Sequence, residues 1–219
     1  IDTTGVPLHK RGYRIEANDA PIRETLAAAI AAISRPLPHV LLWDPLCGSG
    51  TIAIEGAMIA KKIAPGKKRA FAAMDFSAIP SGAWQRAREE ALDLEENNGF
   101  EAFASDIDPR AVSLAEANVK RAGLSDAVRC FEADARLIKK LDRRGTIVTN
   151  PPYGERLLDI KEAEKLYEIM GRTFPREQGK KYYVISPHDD FEKLYGRPAD
   201  KRRKLYNGMI KCQLYMYFK

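Results

Sequence analysis

Val40-Leu41-Leu42-Trp43 is an unbroken apolar run that stops at Asp44, passes through Gly48-Ser49-Gly50 and enters a stretch of helical character from Thr51 to Ile63. An apolar run with no polar alternation reads as a strand covered on both faces, the situation inside a parallel sheet. Glycines between that strand and the helix let the backbone turn tightly and approach a ligand, while the helix start offers unpaired amides. The passage therefore opens a nucleotide-binding α/β unit. It is neither of the common phosphate loops: the third glycine of the dinucleotide fingerprint is missing where Ile52-Ala53 stands, and no Gly-Lys-Ser/Thr follows.

The same alternation resumes downstream. Ala102 to Asp106 reads as a second strand, Pro109 to Ala122 as a helix opened by proline, Val128 to Ala133 as a third strand and Thr146 to Thr149 as a fourth. A helix over Lys161 to Phe174, a fifth strand over Lys181 to Ile185 and a last, alternating strand over Cys212 to Phe218 complete the series. Upstream, Ile22, Leu26, Ile30 and Ile33 share one helix face that ends before Pro36, with Asn18 or Asp19 as the cap and Pro21 in the first turn. This order predicts a doubly wound, mostly parallel α/β sheet with helices on both faces. We expect one domain over residues 1–219, with an N-terminal segment and helix over 1–39 and an insertion over 64–99 that holds Trp84 and an acidic helix from Gln85 to Glu96.

Composition narrows the rest. No apolar stretch reaches the roughly 20 residues that span a bilayer, the opening lacks a secretory core, and the three cysteines, Cys47, Cys130 and Cys212, are too scattered for a disulfide framework. A cytoplasmic protein is expected. The three histidines, His9, His39 and His188, have no ligand spacing, so no metal is expected. A net charge of +6 permits a polyanionic partner without requiring one.

In a doubly wound sheet, ligands lie beyond the carboxyl ends of the strands, and Asp44, Asp106, Asp134 and Asn150 fall there in turn. Asp106 is placed to accept both hydroxyls of a ribose, and Asp134 to accept an adenine amino group; a helix cap is the alternative for Asp134 and the preferred reading for Asp108, which precedes Pro109. Most informative is Asn150-Pro151-Pro152-Tyr153, directly after the fourth strand. Two prolines fix the backbone and remove two amide donors, so Asn150 Oδ1 and the Pro151 carbonyl remain as acceptors for an amine. An exocyclic base amine is a poor nucleophile because its lone pair is delocalised into the ring, and two acceptors on its hydrogens restore pyramidal character. Tyr153 is placed to stack on a base taken out of its helix. Cysteine addition to a pyrimidine is disfavoured, because Cys47 sits inside the glycine turn.

Basic clusters at Lys67-Lys68-Arg69 and Lys201-Arg202-Arg203-Lys204 flank expected loops and suit either phosphates or plain solvent. Arg11, Tyr13 and Arg14 bring donors and an aromatic together before a helix and form a candidate substrate-binding group; the alternative is a surface strand with bases lying along it.

Together Leu8 to Arg14, Ala20 to Ala28, Asp44-Pro45-Leu46-Cys47-Gly48-Ser49-Gly50-Thr51, Ser105 to Ala111 and Asn150 to Arg156 resemble the methyltransferase domain of bacterial THUMP-associated RNA guanine-N2 methyltransferases. The resemblance spans nearly the whole chain, although Asn-Pro-Pro-Tyr alone is shared with adenine-N6 DNA methyltransferases. It implies a class I methyltransferase fold, S-adenosylmethionine as donor, 23S ribosomal RNA as substrate, and no obligate protein partner. In that reading Asp44, Pro45, Cys47, Gly48, Ser49, Gly50 and Thr51 hold the methionine part, Asp106 with Ile107 the ribose, Asp134 with Ala135 the adenine, and Asn150 to Tyr153 the target base. It also implies a fragment of a longer protein that carries an N-terminal THUMP domain. Two rival expectations are an adenine-N6 DNA methyltransferase and a non-catalytic RNA-binding module on the same fold.

Overall fold

The computed structural model describes residues 2–14, 22–80, 82–138, 143–153 and 160–218. Its elements in chain order are α1 (Glu24–Ser34), β1 (Leu41–Asp44), α2 (Thr51–Ala60), α3 (Ala83–Asp93), β2 (Ala102–Asp106), α4 (Pro109–Ala122), β3 (Val128–Glu132), β4 (Gly145–Thr149), α5 (Ile160–Thr173), β5 (Lys180–Ser186), α6 (Phe191–Tyr195), β6 (Lys201–Asn207) and β7 (Ile210–Tyr217). They form one seven-stranded sheet in the order β3-β2-β1-β4-β5-β7-β6. β1 to β5 run parallel, and β7 runs antiparallel to both β5 and β6. From β1 the chain builds outward to β2 and β3, then returns to lay β4 on the other side. The reversal leaves a crevice between the carboxyl ends of β1 and β4, the usual ligand position in such sheets.

Alternation along the strands divides the core in two. Leu42, Val148, Tyr183, Ile185, Leu214 and Met216 pack on one face with Ala27 and Ile30 of α1, Ile54 and Ala57 of α2, and Ala115 and Val119 of α4. Their neighbours Trp43, Ile147, Tyr182, Val184, Tyr215 and Tyr217 pack on the other face with Ala163, Tyr167 and Met170 of α5 and Phe191 and Tyr195 of α6. The central strands β1, β4 and β5 thus bury both of their faces, which is why β1 shows no polar alternation. The second face is rich in aromatics: the rings of Phe191 and Tyr215 stack at 4.4 Å and those of Tyr195 and Tyr217 at 4.7 Å. There α5 and α6 meet closely. A Cβ added at Gly171 would lie 1.9 Å from the Tyr195 carbonyl oxygen.

α4 shows how local sequence sets an element. Asp108 Oδ1 accepts the Arg110 amide at 2.9 Å, Pro109 occupies the first turn, and Gly123, at φ 75°, closes the helix. α1 differs from expectation, since it begins at Glu24 with Arg23 as its N-cap; the cap expected at Asn18 or Asp19, with Pro21, lies outside the described residues. The segment around His9 to Arg14 is not a strand. Within 64–99 the structure has a short 3-10 turn at Ala72–Asp75 and α3, which buries no residue. This stretch is tied to the N-terminal segment: the Ala73 amide donates to the Thr3 carbonyl at 3.1 Å, and the Arg69 guanidinium reaches the carbonyls of Thr4 and Pro7 at 3.4 Å each and that of Val6. Lys67 pairs with Glu95. The Lys67-Lys68-Arg69 cluster, expected as a possible phosphate contact, therefore has two of its three cations engaged inside the fold.

Two elements escaped the sequence reading. β6 carries the bases that were assigned to a loop flank, and α6 was not foreseen at all. β6 and β7 join through a two-residue turn in which Gly208 stands first, at φ 64°, the type II′ pattern. Among the described residues no helix is long and apolar enough to cross a membrane.

Candidate active site

β1 delivers Asp44 to the crevice, where it is almost fully buried. Its Oδ1 accepts the Thr149 hydroxyl from β4 at 2.9 Å and the Leu46 amide at 3.3 Å, joining the two strands that frame the crevice. Burial pushes the Asp44 carboxyl up to about 7, opposed by those two hydrogen bonds. Between the ordinary carboxylate value and about 7, the folded chain keeps a proton that the unfolded chain has released. Stability therefore falls as pH rises through that interval and the penalty is complete above it. Asp44→Asn keeps an acceptor for Thr149 without the charge. We expect it to raise stability by ~2–4 kcal/mol at pH 8 and by less than half of that at pH 5. Equal gains in thermal unfolding at the two pH values would show that Asp44 titrates normally.

The turn after Asp44 is clamped by β2 and α4. Gly48 and Gly50 take φ values of 50° and 76°, where a side chain is disfavoured, and a Cβ on Gly50 would lie 3.0 Å from Ala115 Cβ. The Gly48 amide donates to Asp106 Oδ2 at 2.9 Å, the Cys47 amide to the Ser105 carbonyl at 2.9 Å, and the buried Asn118 side chain donates to the Ser49 carbonyl at 2.9 Å. Asp106 Oδ1 accepts the Asp108 amide at 3.1 Å, which fixes the carboxylate plane. The Cys47 thiol is held well above its ordinary range by burial, as expected of an inert side chain rather than a nucleophile.

After β3, Asp134 caps the 3-10 turn Ala135–Leu137 by accepting the Arg136 amide at 2.9 Å, and it pairs with the Arg136 guanidinium at 2.7 Å. That arginine keeps the Asp134 carboxyl below the usual range, so it remains an acceptor. After β4, the Tyr153 hydroxyl donates to Asn150 Oδ1, and the Tyr167 hydroxyl donates to the Pro152 carbonyl at 3.0 Å. Burial raises the Tyr153 hydroxyl far above its ordinary value, so it stays protonated and can donate. Its ring packs against the first core face, a different use from stacking on a base. Gly154 to Arg156 lie outside the described residues.

These groups surround a cavity of about 980 Å³. Asp44, Cys47, Gly48, Ser49, Asp106, Ile107, Asp134, Ala135, Asn150, Pro151, Pro152 and Tyr153 line it. Pro45, Gly50 and Thr51 do not: Thr51 is buried in the first turn of α2, and Gly50 faces Ala115. Asp108 also lines it while capping α4. Arg11, Tyr13 and Arg14 are not on the wall. They lie off the cavity, where the buried Glu55 of α2 accepts the Tyr13 hydroxyl at 2.8 Å and Arg11 Nε at 3.3 Å, and Arg14 pairs with Glu24 at 2.8 Å. The candidate substrate-binding group is thus a set of partners for buried carboxylates, because an unpaired carboxylate in that position is costly. Wall residues that the sequence reading missed include Arg23, the α5 residues Glu162, Lys165 and Ile169, and Asn207, Gly208 and Met209 of the β6–β7 turn. Only the turn left a signal in the sequence, the Asn207-Gly208 pair. Among the described residues no three His, Cys, Asp or Glu side chains converge as a metal site.

A doubly wound sheet with a reversed β7, a glycine turn tied to an acid at the end of β2, and Asn-Pro-Pro-Tyr after β4 defines a class I S-adenosylmethionine-dependent methyltransferase. The RMKL-like methyltransferase domain matches residues 11–216, and the chain belongs to that family. Among curated proteins the chain is 42% identical to YpsC of Bacillus subtilis (strain 168), named as an RNA methyltransferase, over all of this chain and 57% of that protein. It is 36% identical to ribosomal RNA large subunit methyltransferase K/L of Legionella pneumophila (strain Lens), over 98% of this chain and 31% of the other. The solved structure of SMU.472, titled as a methyltransferase complexed with SAH, superposes with a TM-score of 0.93 at 42% identity, over all of this chain and 57% of the other. The chain thus spans between about a third and just over half of these relatives' own lengths.

Proposed function

We propose that the chain transfers a methyl group from S-adenosylmethionine to the exocyclic N2 of a guanine in RNA, with 23S ribosomal RNA in the cytoplasm as its substrate. The observation that carries this reading is that Asn150 and Pro151, the amine acceptors, share one cavity wall with Asp44, Gly48 and Asp106 at the crevice between β1 and β4. The residues present suit the cofactor. Gly48 leaves room for a close ligand, Asp106 is fixed in plane yet has lone pairs left for hydroxyls, and Ile107 and Ala135 supply apolar flanks for a purine.

The bound cofactor would supply an electrophilic methyl on a sulfonium. Everything else falls to this chain's own groups. Asn150 Oδ1 and the Pro151 carbonyl accept the two N–H bonds of the target amine, so its lone pair is directed at the methyl rather than into the ring. Tyr153, by donating to Asn150 Oδ1, holds the amide oxygen toward the base. No strong base is needed, because the amine becomes acidic once methylated and releases its proton to solvent. Positioning supplies most of the rate.

Ribosomal and RNA names among the relatives support RNA over DNA. The test is incubation of the chain with isotopically labelled donor and either undermodified ribosomal RNA or duplex DNA, followed by mass spectrometry of the nucleosides. Label on N2-methylguanosine is the expected result. Label only on N6-methyladenine in DNA would replace this reading with the adenine enzyme, and cofactor binding without transfer to either would point to the non-catalytic module.

A further inference from the structure

Two basic clusters stand out in the sequence, and the fold treats them differently. Lys67 and Arg69 are consumed within it. Lys201-Arg202-Arg203-Lys204 occupy β6, the outermost strand, and all four are exposed. Only Arg202 has an acidic partner among the described residues, Glu192 at 3.4 Å. Lysines on an edge strand also discourage sheet-to-sheet association, but the rest of β6 and its turn does the opposite of protecting an edge. Tyr206 is 54% exposed with the Lys204 ammonium 5.2 Å from its ring centre, and Met209 at the turn is 96% exposed. β6 runs parallel to β5, through β7, so its carboxyl end and the turn stand at the same rim as Asn150. Asn207, Gly208 and Met209 line the cavity that holds Asn150. From that mouth, β6 extends roughly 20 Å away from the crevice, and its four cations occupy the far ~10 Å, alternating between its two faces.

We infer that the β6–β7 hairpin is the arm that engages single-stranded RNA on one side of the target nucleotide, with Met209 packing against the base next to the extruded one and Arg203 and Lys204 holding its phosphates. The inference rests on the RNA reading above. Its physical ground is that a base in a pocket leaves its neighbour unstacked, and an apolar side chain at the rim replaces the lost stacking. Cations on the two faces of the same edge strand then fix the register of the RNA through phosphate contacts, which carry no sequence information. Tyr206, between the two, offers a ring for a further base.

The test uses the full chain, a fluorescein-labelled 20-nucleotide single-stranded RNA of mixed sequence for binding, and undermodified ribosomal RNA for methyl transfer. The double variant Arg203→Glu, Lys204→Glu is expected to bind the labelled RNA at least ~10-fold more weakly and to lower the slope of log K against log salt by roughly 1 to 1.5, two phosphate contacts' worth. The double variant Lys120→Glu, Arg121→Glu, on the last turn of α4 at the opposite edge of the sheet, matches that change in net charge and leaves both unchanged. Met209→Ala is expected to lower kcat on ribosomal RNA roughly 10-fold while RNA affinity changes by less than about threefold, a split that lost folding would not give. Binding, salt slope and kcat all unchanged in these variants, with the unaltered chain methylating RNA, would overturn the hairpin assignment alone. Methyl transfer to DNA adenine with no binding of the labelled RNA would overturn the reading beneath it, and the assignment with it.

Discussion

An Asn150→Ala chain is expected to bind S-adenosylmethionine within a few-fold of normal and to unfold at nearly the same temperature, yet to transfer methyl groups at least ~10²-fold more slowly. Asn150 follows the last residue of β4, contributes nothing to either core face, and uses its Oδ1 as the acceptor of the Tyr153 hydroxyl. Removing that acceptor costs on the order of 1 kcal/mol of stability, but under the proposed reaction it takes away one of the two acceptors for the target amine. Tyr153→Phe makes the complementary test, because it keeps the ring that packs on the core and deletes the hydroxyl, which donates to Asn150 and meets the Cys212 thiol at 3.9 Å. If the bond from Tyr153 orients the amide, Tyr153→Phe should fall between the two, roughly tenfold slow. Single-turnover rates at saturating donor would read both. A kcat for Asn150→Ala within threefold of normal would remove Asn150 from the chemistry.

The second large effect concerns stability rather than chemistry. Gly171 lies in α5, where alanine would ordinarily be favoured by ~1 kcal/mol. Here its missing side chain is what lets α6 sit down: an added Cβ would stand 1.9 Å from the Tyr195 carbonyl oxygen and 2.7 Å from its carbon. Those are backbone atoms, and α6 cannot slide without unstacking Phe191 from Tyr215 and Tyr195 from Tyr217. Gly171→Ala is therefore expected to destabilise the fold by ~3 kcal/mol or more. For a chain of this length that corresponds to a fall in Tm of roughly 6–12 °C. A melting curve that coincides with the original would mean that α6 is free to shift outward.

Much of this architecture was readable because parallel strands write themselves plainly. Leu41-Leu42-Trp43 and Thr146-Ile147-Val148 have both faces buried and so carry no polar alternation, while α4 announces both ends through Asp108, Pro109 and Gly123. β6 was unreadable for the converse reason: an edge strand with four exposed cations has no apolar face to show. α6, five residues long, is shorter than two helical turns and displays no period. At the site, the strand ends were legible and the helix contributions were not. The clamp of Asn118 on Ser49 joins residues 69 apart in sequence. Arg11, Tyr13 and Arg14 looked like ligand groups because nothing in their neighbourhood in the sequence shows that Glu55 and Glu24, on other elements, need partners.

The hydrogen bond from the Gly48 amide to Asp106 Oδ2 makes one joint of the places where two ends of a cofactor are expected. Anything that orders the carboxylate for a ribose also orders the turn for an amino acid. A nucleoside and an amino acid added as separate molecules should then bind with positive cooperativity, each raising the affinity of the other by the same factor, as linkage requires. Asp106→Asn would weaken that joint and lower the coupling from both sides equally.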